Sequence, residues 1–138
     1  MAEKLFVDTG ALYALMVEAD TAHCQVATAL DDLRAGKTRW ITSDYVLDES
    51  ATLLNARGHH AQAVALLDLV GKTKALQVEW MDPQRFAKTR GLFAKYTDQG
   101  FSFTDCFSFA LMRELKIKKA LTKDRHFQVM GFEQLLTE

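Results

Sequence analysis

Four acidic residues lie where this chain passes from one kind of segment to another. Asp8 and Asp124 each follow a short apolar run, Glu49 lies in a helical segment just after a strand-like stretch, and Asp105 begins a helical run. Parallel strands end at a shared edge of a sheet, where ligands bind. We therefore expect the four carboxylates to converge at that edge.

Carboxylates that converge repel one another, and a divalent cation would neutralise them. Mg²⁺ is a hard cation that binds oxygen ligands and keeps several of its waters. The pattern therefore predicts a site for a hard divalent cation at this edge.

Three of the acids also have ordinary structural explanations. Asp8 could cap a helix that begins near Ala11, since Asp is a common N-cap. Asp105 follows Thr104, a predicted helix cap, and the helix dipole alone would stabilise a carboxylate there. Asp124 alone resembles a surface turn residue. A site is therefore predicted only because all four acids are expected at the carboxyl ends of strands in one small domain.

Glu49 is singled out by the periodicity of its helix. Residues three and four apart share a helical face. Glu49 shares its face with Val46 and Leu53, so the pattern predicts that it points toward the core, where a carboxylate needs a partner. Asp48 shares a polar face with Asp44 and is expected to be solvated.

Strands alternate with helices along the whole chain. This order predicts an α/β fold, a single-domain α/β/α sandwich with a mostly parallel central sheet over residues 1–138. Thr9 and Gly10 are predicted to form a turn after the first strand. Predicted strands are 4–7, 39–42, 76–80 and 119–122, and predicted helices are 11–16, 22–35, 44–57, 60–72, 83–96 and 105–115, followed by a short turn at 126–130.

The composition is that of an ordinary globular protein, with 49% hydrophobic and 25% charged residues. No apolar run is long enough to span a membrane, and the first residues do not resemble a signal peptide. We therefore expect a cytoplasmic protein with no membrane association. Cys24 and Cys106 have neither metal-type nor redox-type spacing and are predicted to be buried, reduced thiols.

Charge is unevenly distributed along the chain. Residues 1–70 contain 5 basic and 10 acidic residues, whereas residues 71–138 contain 12 basic and 8 acidic ones. The basic half could face a phosphate backbone, although a solvated surface explains the charge as well. The candidates for holding such a backbone, each of which also has an ordinary surface or core explanation, are Lys116, Lys118, Lys119, Lys123 and Arg125, with His126 and Phe101 as helpers.

Four segments in order resemble those of the PIN domain family, and in overall form the chain is similar to the stand-alone prokaryotic PIN proteins, including VapC-like toxins. Each segment is a weak match alone, but together they span nearly the full length. They are Phe6-Val7-Asp8-Thr9-Gly10-Ala11-Leu12, Thr42-Ser43-Asp44-Tyr45-Val46-Leu47-Asp48-Glu49 with Leu53-Leu54, Ser102-Phe103-Thr104-Asp105-Cys106, and Leu121-Thr122-Lys123-Asp124-Arg125-His126-Phe127 with Gly131-Phe132.

The resemblance implies a ribonuclease that depends on Mg²⁺, with Mn²⁺ as a substitute. Such an ion would lower the pKa of a bound water and stabilise a leaving oxygen in the hydrolysis of an RNA phosphodiester bond. Asp8, Glu49 and Asp105 match the acidic triad of the family, and Asp124 matches its more variable fourth acid. Thr9 matches a small hydroxyl residue that follows the first Asp. We expect all four acids to be catalytic residues and metal ligands, acting on an RNA substrate.

The resemblance also implies partners. A toxin of this kind would bind a small antitoxin protein whose peptide covers the acidic pocket, and a homodimer is expected. Two other enzyme classes fit less well: a haloacid-dehalogenase-type phosphatase needs an Asp where Gly10 stands, and a receiver domain needs an acidic pair near the first strand. A catalytically weak RNA- or protein-binding module on the same fold stays open at this point.

Overall fold

The computed structural model describes residues 2–137, which form five strands and seven helices. The elements alternate as the sequence predicts. In chain order they are β1 (Glu3–Val7), α1 (Thr9–Met16), α2 (His23–Arg34), β2 (Thr38–Ser43), α3 (Asp44–Ala56), α4 (His60–Lys72), β3 (Leu76–Glu79), α5 (Pro83–Lys95), α6 (Phe103–Glu114), β4 (Lys119–Leu121), α7 (His126–Val129) and β5 (Glu133–Gln134).

The strands form one sheet in the order β3-β2-β1-β4-β5, and every described pair is parallel. The predicted α/β/α fold with a mostly parallel sheet is therefore confirmed. The chain moves outward from β1 to β3 and then returns to the other side of β1. Strand order thus reverses between β1 and β4, and a crevice opens at such a switch point beyond the carboxyl ends of the strands.

The helices fall into two groups. Crossovers between parallel strands are right-handed, which places the helices before β3 on one face of the sheet and those after β3 on the other. Consistent with this, α1 packs against α2, α3 and α4, whereas α5 packs along α6. No helix in residues 2–137 is long and apolar enough to cross a membrane.

The core is rich in aromatic side chains. Phe6 on β1 is fully buried and its ring lies 6.4 Å from that of Phe127. Phe107 and Phe109 bury opposite faces of α6, whose residues Cys106–Met112 are all buried, as its nearly continuous apolar sequence predicts. Burial on all sides fixes α6 against the sheet, so its first turn is held at the carboxyl edge.

Two sequence-based predictions of local structure are wrong, and one short strand was not predicted. Thr9 and Gly10 do not form a turn, because α1 begins at Thr9 directly after Asp8. Thr104 does not cap α6: the cap is Ser102, and the helix begins at Phe103. The chain end holds the strand β5, which is only two residues long and so too short to produce a periodic pattern.

The two cysteines differ in environment. Cys106 is buried, as predicted, and burial raises the pKa of its thiol. Cys24 is exposed, so its predicted burial is wrong. Val26 is the buried residue of α2, and Cys24 lies two positions before it, on a different side of the helix.

Candidate active site

Asp8 lies at the end of β1, next to the strand reversal. It occupies the N-cap position of α1, but its side chain makes no capping hydrogen bond. Instead its Oδ2 accepts a hydrogen bond of 2.8 Å from the Thr122 hydroxyl, which follows β4. This bond joins the side chain to the residue that follows the neighbouring strand β4.

Burial changes the acidity of Asp8. The residue is only 8% exposed, and loss of water raises the pKa of its carboxyl to about 7. The hydrogen bond from Thr122 opposes this rise, while the negative charges of Asp105 and Asp124 add to it. The carboxylates of Asp8, Asp105 and Asp124 are therefore close enough to repel one another.

Glu49 is connected to this strand end through Thr9. The Thr9 hydroxyl donates a hydrogen bond of 2.8 Å to Oε1 of Glu49. The side chain of Glu49 is nevertheless exposed, so the prediction that it points into the core is wrong. The buried face of α3 is formed by Val46, Leu47, Ser50 and Leu54, and Glu49 lies at its border.

Asp105 is held by the first turn of α6. Its backbone N–H donates to the Ser102 hydroxyl at 3.0 Å, and its Oδ2 accepts from the backbone N–H of Ser102 at 3.1 Å. These reciprocal bonds form a capping box. Partial burial raises the pKa of the Asp105 carboxyl, and the charge of Asp124 adds to this effect.

Asp124 follows β4 and is fixed by bonds on both sides. Its backbone N–H donates to the Thr122 hydroxyl at 3.0 Å, and its Oδ1 accepts from the backbone N–H of His126 at 2.9 Å. The turn is therefore ordered, and Asp124 is half-buried rather than fully exposed.

His126 joins two of the acids. Its Nδ1 lies 3.5 Å from Oδ2 of Asp105 and 3.4 Å from Oδ1 of Asp124. This nitrogen is buried and has no hydrogen-bond partner among the described residues. Ligand atoms of Asp105, Asp124 and His126 lie within 4.8 Å of one another, so they could hold one metal ion.

The four predicted acids therefore occupy one edge of the sheet but not one compact cluster. Asp105 and Asp124 converge with His126, and Asp8 lies beside them, close enough for their charges to raise its pKa. Glu49 stands at the exposed rim, linked through Thr9.

The profile of a known family matches most of this chain. The match is to the PIN domain and covers residues 5–133. The chain belongs to the PIN domain family. It is also 31% identical, over 97% of its own length and 99% of the relative's, to the 23S rRNA-specific endonuclease VapC20 of Mycobacterium tuberculosis, in strains CDC 1551 / Oshkosh and ATCC 25618 / H37Rv.

A solved structure agrees with that comparison. The crystal structure of Mycobacterium tuberculosis VapC20, described as a toxin that cleaves the sarcin-ricin loop, superposes on this PIN domain with a TM-score of 0.82. The two chains are 31% identical, and the match covers 93% of this chain and 95% of the other.

Two residues that support the acids of this PIN domain were not predicted from the sequence. Thr122, the donor to Asp8, and Ser102, the cap beside Asp105, were not singled out. The spacing Ser102-x-x-Asp105 is a capping-box signal and could have identified the start of α6. His126 was considered only as an RNA contact, since no pattern in the sequence places its ring between two carboxylates.

The basic candidates divide between the two edges of the sheet. Lys116 and Lys118 precede β4, and Lys119 is its first residue, which places all three at the opposite edge from the acids. Lys119 pairs there with Glu3 at 3.0 Å. Lys123 and Arg125 follow β4 on the acidic side, but Lys123 donates to the Thr21 hydroxyl at 3.2 Å.

Phe101 and the two neighbouring histidines His59 and His60 have structural contacts. Phe101 is buried and its ring packs 4.9 Å from that of His126, which limits how His126 can turn. His59 packs edge-on against Tyr13, and His60 bonds to the Asn55 side chain.

Proposed function

We propose that this PIN domain is a ribonuclease that hydrolyses RNA phosphodiester bonds with a divalent cation. The observation that carries the proposal is the meeting of acids from separate elements at the carboxyl edge. Asp8 follows β1, Asp105 belongs to α6 and Asp124 follows β4. Burying like charges together destabilises a protein unless a cation compensates them.

The donor groups fit such a cation. Asp8, Asp105 and Asp124 offer carboxylate oxygens, which Mg²⁺ and Mn²⁺ prefer, and the unpaired Nδ1 of His126 offers a nitrogen that Mn²⁺ also accepts. We assign the three aspartates as principal ligands and His126 as an additional one. A bound cation would supply Lewis acidity toward a phosphate oxygen and would acidify a nearby water.

The protein's own groups hold these ligands in place before any substrate arrives. Thr122 orients the Asp8 carboxylate, and the N–H of Ser102 orients Asp105. Partners of this kind fix ligand geometry and commonly affect metal affinity by about 10- to 100-fold. Glu49, exposed at the rim and held by Thr9, is assigned to a water of the site or a second ion.

RNA is the substrate that the comparisons support. The relative VapC20 carries the name of a 23S rRNA-specific endonuclease, and it matches this chain from end to end. Internal cleavage of a structured RNA is therefore the activity that we propose here. A binding module without turnover is the alternative that the experiment must separate from it.

The experiment incubates the pure protein with structured and single-stranded RNAs, in Mg²⁺ or Mn²⁺ and in EDTA, beside an Asp8→Asn variant. We expect cleavage that requires the metal and falls by at least about 100-fold in the variant, because a group preorganised for the transition state is lost. Cleavage that persists in EDTA, or a gain in activity from Asp8→Asn, would refute the proposal. Metal-independent RNA binding without cleavage would favour the binding module.

We also propose that the chain is the toxin of a toxin–antitoxin pair. The solved relative is described as a toxin, which supports this role. Induced expression in a bacterial host should arrest growth, and Asp8→Asn should relieve the arrest. Co-expression of a small protein encoded beside this chain should do the same by covering the acidic pocket, and normal growth under strong expression of the wild type would argue against a toxin.

A further inference from the structure

A largely exposed aromatic cluster runs along α5 and reaches the beginning of α6. Phe86 and Phe93 are 46% and 49% exposed, although large aromatic side chains usually lie inside. The ring of Phe103 lies 5.4 Å from that of Phe86 and 5.7 Å from that of Phe93. We call these three residues the phenylalanine cluster.

The helix that carries this cluster is strongly basic. Residues 83–95 contain four Lys and Arg residues and no Asp or Glu. Arg85 is neutralised by Glu79 and Glu114, each at 2.7 Å. Lys88, Arg90 and Lys95 form no ion pair within the described part of the chain, and Arg90 shares a helical face with Phe86 and Phe93.

The phenylalanine cluster is continuous with the acidic edge. Phe103 is the first residue of α6 and lies two positions before Asp105. Tyr45, whose ring is 6.2 Å from that of Phe103, lies one helical turn before Glu49 and on the same face of α3. A chain bound across the cluster could therefore reach the carboxylates without leaving the surface.

We propose that the phenylalanine cluster stacks unpaired bases of the RNA substrate beside the acidic site. This inference rests on the proposed ribonuclease function and specifies its substrate as RNA with an unpaired segment. Aromatic faces stack any unpaired base, and the free cations of α5 would track the phosphates. A base held in a duplex cannot present its face to a side chain, so fully paired RNA gains only the electrostatic contribution.

The positive charge of α5 favours RNA, rather than a second copy of this chain, as the partner that binds the phenylalanine cluster. A two-fold contact places the same surface patch on both subunits. Such a contact through α5 would bring the cations Lys88, Arg90 and Lys95 of one copy near those of the other, and residues 83–95 hold no acid to compensate them. A polyanion meets the same surface with opposite charge.

The test measures RNA binding in EDTA by fluorescence anisotropy, with every protein in an Asp8→Asn background so that no RNA is cleaved. The probes are a labelled hairpin with an eight-nucleotide loop and a blunt duplex of the same stem. The first variant, Phe86→Leu with Phe93→Leu, keeps apolar volume but removes the rings. The second, Phe86→Tyr with Phe93→Tyr, restores them, and Leu67→Ala alters an equally exposed apolar residue on α4.

We expect the hairpin to bind at least about tenfold more tightly than the duplex, and the leucine variant to lose that preference while the tyrosine and Leu67→Ala variants keep it. Equal binding of both RNAs, or an unchanged preference in the leucine variant, would overturn the proposal. So would a dimer in sedimentation that only the leucine variant dissociates, since the cluster would then join two copies.

A second experiment distinguishes failure of the proposed ribonuclease function from failure of the phenylalanine cluster. The same hairpin is incubated with protein that retains Asp8, in Mg²⁺. Selective loop binding without cleavage supports the phenylalanine cluster and overturns the ribonuclease. Cleavage that the leucine variant performs as well as the wild type overturns the cluster alone.

Discussion

Asp8 shows how the site depends on single residues. Its carboxyl is buried at the end of an apolar strand and has one hydroxyl donor, Thr122. The need for a partner was predictable from the sequence, because an acid directly after Leu5-Phe6-Val7 has no simple route to solvent. Its donor was not, since the contact joins residues 114 positions apart.

The raised pKa of Asp8 predicts how stability depends on pH in metal-free protein. Folded Asp8 holds its proton up to about pH 7, whereas an unfolded Asp loses it near pH 4. Its contribution to the free energy of unfolding is thus fully present below pH 4 and is lost as the pH rises through 7. In EDTA, Asp8→Asn should be more stable than wild type at pH 8 by roughly 2–4 kcal/mol and equal to it near pH 4.

Urea unfolding at both pH values measures this difference. Asp48→Asn, a change at an exposed acid, should leave the pH dependence of the wild type unaltered. A wild type whose stability is constant between pH 4 and 8 would show that Asp8 is not held in a costly ionised state.

At the scale of elements, features that depend on a few neighbouring residues could be predicted from the sequence, whereas features that depend on tertiary packing could not. The start of α5 at Asp82-Pro83 was predicted correctly, because an N-cap followed by Pro is a local signal. The N-cap of α6 was predicted at Thr104, although Ser102 has the capping-box spacing to Asp105 and is the cap. The exposure of Glu49 was not predicted. Helical periodicity indicates which residues share a face of α3, but the packing of neighbouring elements decides where the buried part of that face ends.

The capping box of α6 connects helix stability to the acidic site. Ser102→Ala removes the hydroxyl that accepts from the N–H of Asp105 and should destabilise the protein by about 1 kcal/mol. Because Asp105 lies in the same turn, Mg²⁺ binding should also weaken, by about tenfold. Asp82→Ala removes the matching cap of α5, which accepts from the N–H of Arg85 at 2.7 Å, and provides the control.

Both variants are expected to lose similar stability in urea unfolding, but only Ser102→Ala should bind Mg²⁺ more weakly in calorimetric titration. Equal metal affinity in the two variants would show that the geometry of Asp105 does not depend on its cap.

At the scale of the whole molecule, topology creates the site. Asp8 and Asp124 are 116 positions apart, yet β1 pairs directly with β4, because the sheet reverses its strand order there. The alternation of elements predicted a parallel sheet, but strand order is not encoded in any local pattern. The expected homodimer and the assignment of residues 1–138 to one domain stay predictions.

Metal binding should stabilise the entire fold. At pH 8, where the carboxylates repel, Mg²⁺ at about 100 times its Kd should raise the free energy of unfolding by about 2.7 kcal/mol. Thermal unfolding with Mg²⁺ and with EDTA measures this as a rise in Tm of several degrees. Asp105→Asn should reduce the rise, and an equal rise in that variant would place the ion elsewhere.

The central claim is that the acidic edge cleaves RNA, and two neighbouring residues of α3 test it most directly. Glu49 is bonded to Thr9 at the site, whereas Asp48 is exposed and was predicted to be solvated. Single-turnover cleavage of one RNA in Mg²⁺ should fall by at least about 100-fold in Glu49→Gln and stay near the wild-type rate in Asp48→Asn. Equal rates in both variants, or loss in Asp48→Asn alone, would contradict the account.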